Sequence, residues 1–268
     1  MNVGSAFGAQ VRSWRLSRRL SQEALAELAE VSPRHLSFVE NGRANPSREL
    51  VLAISEALDV PLRDRNALLT LAGFAPVYRS SPLEAAELQH LRRGLDYVLA
   101  QQEPFGAIVL DGNWDILRMN AGAQRLLSQF PPRSAQGLAA ASNVILATLH
   151  PDALRPYIVN WMEVAALLMA RLHREASAGP SEARHRLLAA ALATPGVPEA
   201  WRAPGPGQAS DPFVTVHLRS PTLEVRLFSM LTSIGTPLDI TAEELLIESY
   251  FPADETSERA LRALAAAA

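Results

Sequence analysis

The side chains best placed to act on a partner lie in residues 20–42, LSQEALAELAEVSPRHLSFVENG. In the second half of this stretch Leu36 and Val39 are three apart and turn one face of a short helix inward. Pro33, Arg34, Ser37 and Phe38 then fall on the outward face. An ordinary surface helix does not keep a proline, an arginine and a phenylalanine exposed. Together they offer a guanidinium fork, a hydroxyl and an apolar ring. That set suits contact with a nucleic acid, or with a protein if the helix pair serves only as a docking element.

The surrounding residues supply the elements that hold this face. Ser21 is a natural N-cap for a first helix, with Leu25, Ala26, Leu28 and Ala29 inward. Ser32 caps the next helix, Pro33 occupies its first position, and Gly42 ends it. An earlier helix over 5–18 carries Phe7, Val11 and Trp14 in one stripe. Arg12, Arg15, Arg18 and Arg19 crowd its later half, where cations suit the helix dipole. Downstream, Leu50, Ile54 and Leu58 mark a helix over 48–58, broken by Asp59-Val60-Pro61. A fifth runs from Arg63 to Ala72 and stops at Gly73. These five helices complete a small all-α domain over 1–79.

The pieces Leu20-Ser21-Gln22, Leu25-Ala26, Val31-Ser32 and Glu40-Asn41-Gly42-Arg43 resemble the helix-turn-helix of the phage-repressor-like (XRE) family, a lambda-repressor-like fold. The resemblance implies that Arg34, Ser37 and Phe38, with Pro33 beside them, face base edges in a major groove. Gln22, Ser32 and Arg43 are then phosphate ligands, with Asn45 in the loop along the DNA backbone. It also implies that Arg15 pairs with Glu40, which leaves Arg18 and Arg19 as further phosphate candidates.

Composition narrows the partners. The chain has 268 residues, no cysteine and a net charge of −3. Disulfides and thiolate metal sites are therefore excluded. Residues 1–79 hold 10 Arg against 8 acidic residues, so DNA affinity must come from a local cluster. All 25 basic residues are Arg, which reads as codon bias. No apolar run reaches membrane-span length, and no signal-peptide core opens the chain. A soluble, cytoplasmic protein is expected.

Residues 74–82, FAPVYRSSP, read as a linker. A helix over 83–101 follows, with Leu88, Leu91, Leu95, Val98 and Leu99 on one side. FGAIVLDGNWDILRMN then reads as a hairpin around Asp111-Gly112-Asn113. Its first strand alternates Ile108 and Leu110; its second runs from Trp114. Asn120 caps a helix over 120–130. Helices are expected at 142–149, 155–176 and 181–193, with a turn at His150-Pro151-Asp152. Strands return at 213–218 and 223–233. Residues 244–251, ELLIESYF, fit a strand or a helix, with the strand favoured. The Ala-rich end, 259–268, reads as a tail or weak helix.

The blocks RNALLTLAGFAP, AIVLDGNWDILRMN, LHPDALRPYIVNW, GTPLDIT and FPAD resemble the MmyB-like ligand-binding domain that follows an XRE helix-turn-helix. Over 80–258 this implies an α+β, PAS-like antiparallel sheet with inserted helices and a pocket for an apolar, fatty-acid-like ligand. The candidate polar anchors are Asn120, His150, Arg155, Tyr157 and Arg226. The apolar candidates are Leu146, Trp161, Val164, Leu168 and Phe228. Each buried methylene contributes about 0.8 kcal/mol, so an acyl chain could repay its ordering cost.

No metal motif, phosphate loop or nucleophile elbow is present, and no catalytic residue or cofactor is expected. The expected function is a one-component transcription regulator, homodimeric on operator DNA, with no membrane partner. The dimer contact is expected in helices four to five or in 83–101. The alternative is a DNA-binding protein whose second domain is a non-sensing dimerisation or interaction module; an acyl carrier or enzyme is a third reading.

Overall fold

The computed structural model describes residues 3–177, 179, 181–203 and 214–267. The chain divides into two compact units. The first is Met1–Ser81 with Arg174–Glu182 and Thr236–Glu243; the second is the rest.

Unit one is built on five helices: α1 (Val3–Ser17), α2 (Gln22–Leu28), α3 (Pro33–Glu40), α4 (Arg48–Ala57) and α5 (Leu62–Leu71). Three begin at a serine whose Oγ accepts a backbone N–H of the first turn: Ser21 from Ala24, Ser32 from His35 and Ser47 from Leu50. Each cap satisfies a donor that the helix itself cannot. Phe7, Val11 and Trp14 of α1 join Leu25, Leu36, Val39, Leu50, Ile54 and Leu58 in one buried core. Leu28 is the exception among the expected inward residues. It is exposed, because Leu25, Ala26 and Ala29 already fill the face of α2 that meets the core.

Two features set the position of α3. A Cβ on Gly8 would sit 2.3 Å from the carbonyl oxygen of Glu40, so only glycine lets α1 and α3 approach this closely. Inside the contact lies a buried ion pair. Arg15 Nε donates to Glu40 Oε1 at 2.7 Å and Nη2 to Oε2 at 3.1 Å. Arg15 Nη1 also donates to the Leu20 carbonyl.

Residues 236–243 belong to this unit although they lie far along the chain. Helix α5 follows Pro61 and has no side-chain cap of its own. The Glu243 carboxylate supplies one, accepting the Leu62 N–H at 2.7 Å. Asp239 accepts the N–H groups of Ser81 and Thr241, and Ile240 N–H donates to the Arg79 carbonyl. The unit boundary thus differs from a simple cut at residue 79.

Unit two contains α6 (Gln89–Gln101), β1 (Ala107–Leu110), β2 (Ile116–Met119), α7 (Ala121–Ser128), α8 (Ala135–Ala140), α9 (Val144–Leu149), most of α10 (Trp161–Ser177) and α11 (Glu182–Ala193), β3 (Val216–Arg219), β4 (Glu224–Ser233), β5 (Leu246–Pro252) and α13 (Glu255–Ala266). Between β4 and β5 lies the short α12 (Ile240–Glu244). The sheet is antiparallel, in the order β2-β1-β5-β4-β3.

All four β1 residues are buried, because helices cover both faces of the strand. Ala107 and Val109 pack with Leu95 and Leu99 of α6, and with Leu245 and Ile247. Ile108 and Leu110 face the opposite way, onto residues of α9, α10 and α11. At the other end of that face, Val225 and Leu227 meet Leu126, Phe130 and Leu261.

Several expectations are corrected. The helix expected from Leu83 opens with a 3-10 turn at Ala86–Leu88. The second hairpin strand starts at Ile116, not Trp114. Asp111 Oδ1 accepts the N–H groups of Asn113 and Asp115, and this carboxylate-held turn takes Trp114 to φ 67°. The long helix starts at Trp161, not Arg155. Residues 158–160 instead border β3: Val159 N–H donates to the His217 carbonyl, and Asn160 bonds both Thr215 O and His217 N–H. Helix α8 was not foreseen. The 259–268 segment lies largely in α13, capped by Asp254 and anchored by buried Leu261. Phe213 lies outside the described residues.

Removing one member of the buried ion pair leaves an uncompensated charge, which costs about 3–5 kcal/mol. Glu40→Ala is expected to destabilise α1–α3 by that amount in native-state hydrogen exchange. An Arg15→Met, Glu40→Leu double variant should lose much less. Equal losses would show that the charge itself is not the constraint.

Candidate nucleic-acid interface and ligand site

The outward face of α3 is laid out as a reading surface. Pro33, Arg34 and Phe38 are exposed, Ser37 is partly buried, and Leu36 and Val39 are fully buried beneath them. The Arg34 guanidinium lies 5.5 Å from the Phe38 ring centroid, so the two side chains order one another. Asn41 Nδ2 donates to Ser37 O at 2.8 Å and closes the last turn. The chain then reverses at Gly42, with φ 67°. Arg43 N–H and Ala44 N–H both return to the Phe38 carbonyl, which folds the following loop against the end of α3.

The expected phosphate ligands divide. Arg19 and Arg43 are exposed, and among the described residues neither guanidinium has a hydrogen-bond or carboxylate partner. Asn45 is likewise exposed. Ser32 Oγ accepts the His35 N–H and keeps its own hydroxyl proton to donate. Gln22 has one amide proton committed to Glu40 Oε2 at 2.7 Å. Arg18 is the correction: Nε donates to Leu58 O and Nη2 to Asp59 O, both at 2.9 Å. Its charge caps the end of α4, a structural use that spacing along α1 does not reveal. His35, also exposed on α3, was not singled out.

In unit two the structure brings together only part of the expected ligand set. Leu146, Trp161 and Leu168 share one apolar cluster with the sheet. Val164 and Tyr157 belong to the neighbouring cluster. Asn120 is withdrawn as a ligand donor. Its Oδ1 accepts Ala107 and Ala123 N–H, and its Nδ2 donates to Leu99 and Phe105 carbonyls. Tyr157 spends its hydroxyl proton on Pro131 O, and Trp161 its indole N–H on Thr148 O. His150 Nδ1 accepts the Asp152 N–H.

Arg155 lies 3.6 Å over the Trp161 ring and donates to the Pro195 and Gly196 carbonyls. Burial lowers its pKa. Beside it is a groove of about 500 Å³ lined by Arg133, Pro151, Pro156, Trp161 and Pro195. Arg226 and Phe228 are corrected by strand parity. They point to the sheet face opposite Leu227 and Leu231. Arg226 is exposed there, and Phe228 stacks on Phe251 at 5.3 Å.

What was missed is the sheet side of the cluster. Leu231, Leu246 and Tyr250 pack there as partly buried residues, facing Leu188, Leu192 and Trp201. A legible signal existed: in ELLIESYF, Leu246, Glu248 and Tyr250 alternate onto one face.

Fold and site define a helix-turn-helix DNA-binding protein joined to a second, α+β domain. The family profile described as the MmyB-like transcription regulator ligand binding domain matches residues 91–264, and a helix-turn-helix profile matches residues 11–64. The chain belongs to the family of MmyB-like transcription regulators, with an XRE-type helix-turn-helix at its N-terminal end. Among similar solved structures is the restriction-modification controller protein C.AhdI from Aeromonas hydrophila. It is 34% identical, covering 23% of this chain and 94% of that one, with a TM-score of 0.23. The clp gene regulator ClgR from C. glutamicum is 35% identical, covering 26% of this chain and 88% of that one, with a TM-score of 0.24. No curated protein matches.

Arg43 and Arg34 should separate by role. Arg43→Ala is expected to weaken specific and random DNA alike and to lower the salt slope by about one unit. Arg34→Ala should cost about 1–3 kcal/mol at particular base pairs and relax discrimination there. Binding isotherms across salt concentrations, on both kinds of DNA, distinguish the two; identical profiles would contradict the division.

Proposed function

We propose that the protein is a bacterial one-component regulator that acts in the cytoplasm, binds operator DNA as a homodimer and senses a small, apolar, fatty-acid-like molecule. The observation that carries the DNA half is the exposed Arg34–Phe38 pair on α3, flanked by Arg19 and Arg43. The sensing half rests on the apolar cluster around α9–α11. Large side chains in it, including Trp161, Leu168, Trp201 and Leu231, stay partly exposed. A closed core does not leave its largest members accessible to solvent.

A ligand changes DNA affinity only if it binds the competent and incompetent states unequally. The helix over 83–101 is one route for this; in the structure its α6 portion packs Leu95 and Leu99 against β1. A second route is the chain itself. Glu243 caps α5, and β5, which begins at Leu246, is part of the ligand cluster's sheet. A movement of β5 is therefore passed, within a few residues, to the cap of a helix in the DNA-binding unit.

Native mass spectrometry of the purified protein should show a small-molecule adduct that solvent extraction removes. Returning the extract should shift operator affinity by roughly 5–150-fold, about 1–3 kcal/mol. In Glu243→Ala that response should shrink while ligand-free operator affinity stays close to wild type. Equal operator affinity in loaded and extracted protein would reduce the second domain to a structural or dimerising role.

A further inference from the structure

One buried acid in unit two has no part in the features described so far. Glu248 lies midway along β5 and is only 8% exposed. Its cross-strand neighbours are Ile108 on β1 and Leu231 on β4. Strand alternation turns its carboxyl to the same face as Leu246 and Tyr250, into the apolar cluster under α10. An apolar residue in that place would complete the floor at no electrostatic cost. A carboxyl there requires hydrogen-bonding partners.

The partners present do not use its full capacity. The Tyr250 hydroxyl donates to Oε2 at 3.3 Å, and Ser229 adds a side-chain hydrogen bond. Arg171 on α10 acts electrostatically while its guanidinium lies 4.5 Å over the Trp114 ring. A carboxylate offers about four lone-pair sites. Burial, the largest influence, raises the pKa of Glu248 despite these contacts. Around it the floor is open rather than sealed: Ser229 is exposed, and Leu231, Leu246 and Tyr250 are partly so.

We propose that Glu248, with Tyr250 and Ser229, holds the polar end of the ligand, and that this end is a hydrogen-bond donor such as an amine or hydroxyl rather than an ionised carboxylate. The inference rests on the ligand-sensing function proposed above and specifies its chemistry. A donor head completes the unused acceptor sites. A ligand carboxylate would place a second acid beside Glu248, with the single nearby charge of Arg171 shared between them. The low dielectric of the site makes that arrangement costly.

The test uses three probes of equal chain length on extracted full-length protein: dodecylamine, 1-dodecanol and dodecanoate, each below its micelle concentration. Dodecylamine and 1-dodecanol should bind at least roughly tenfold more tightly than dodecanoate, the scale of one hydrogen bond to a charged or buried polar group. In Glu248→Leu, which keeps the floor apolar, the three affinities should converge. Glu248→Gln should retain dodecanol binding and lose the extra affinity for the amine. Dodecanoate binding as tightly as the others, binding by none of the three, or a donor preference that survives in Glu248→Leu would each overturn the proposal. Operator affinity measured on the same samples keeps the two readings apart. Donor preference with no effect on DNA removes the sensing role and leaves the site. A DNA response driven by dodecanoate removes the donor-head inference alone.

Discussion

The buried pair Arg15–Glu40 is the constraint on which the DNA-binding unit depends. Glu40 accepts two N–H groups from Arg15 and one from Gln22, so the last residue of α3 is tied to both α1 and α2. Its neighbour Val39 is fully buried, and the Gly8 contact brings the α1 backbone against the same turn. A helix of two turns would fray alone in water. Held at its C-terminal end by charge and along its inner face by Leu36 and Val39, α3 keeps Arg34, Ser37 and Phe38 in a fixed array. Preorganisation of this kind lowers the ordering cost of binding.

Strand β5 has the comparable place in the second unit. It pairs with both β1 and β4, and it packs one face beneath α6 and the other beneath the α9–α11 cluster. Its N-terminal neighbour α12 carries the cap of α5. A strand buried on both faces is stiff, so a change in what lies on one face is transmitted along it rather than absorbed locally.

The local devices of the first unit were legible in the sequence. Ser21, Ser32 and Gly42 act through neighbours a few residues away, and the α3 faces follow from helical period alone. Leu28 and Arg18 were not legible, because their roles depend on which helix lies across from them. The strand character of 244–251 and the Asn120 cap could be read. The destination of Asn120's amide could not, since it joins Leu99 and Phe105 to β1 through the tertiary fold. Phe228 and Arg226 show the same limit. Alternation reveals that they share a face, but only sheet register and the placement of the helices decide which face is covered. The break before Trp161 arises from pairing with β3 more than fifty residues on, a contact that helical periodicity has no means of signalling.

The central claim is that the exposed face of α3 reads base sequence in a two-fold dimer. Selection of bound DNA from a random pool by the full-length protein, followed by footprinting, tests it most directly. The account predicts enrichment of an inverted repeat whose half-site centres lie about 34 Å apart, one turn of the duplex, or a multiple of that. Enrichment of no motif, or tight binding of a single half-site by a monomer, would contradict it.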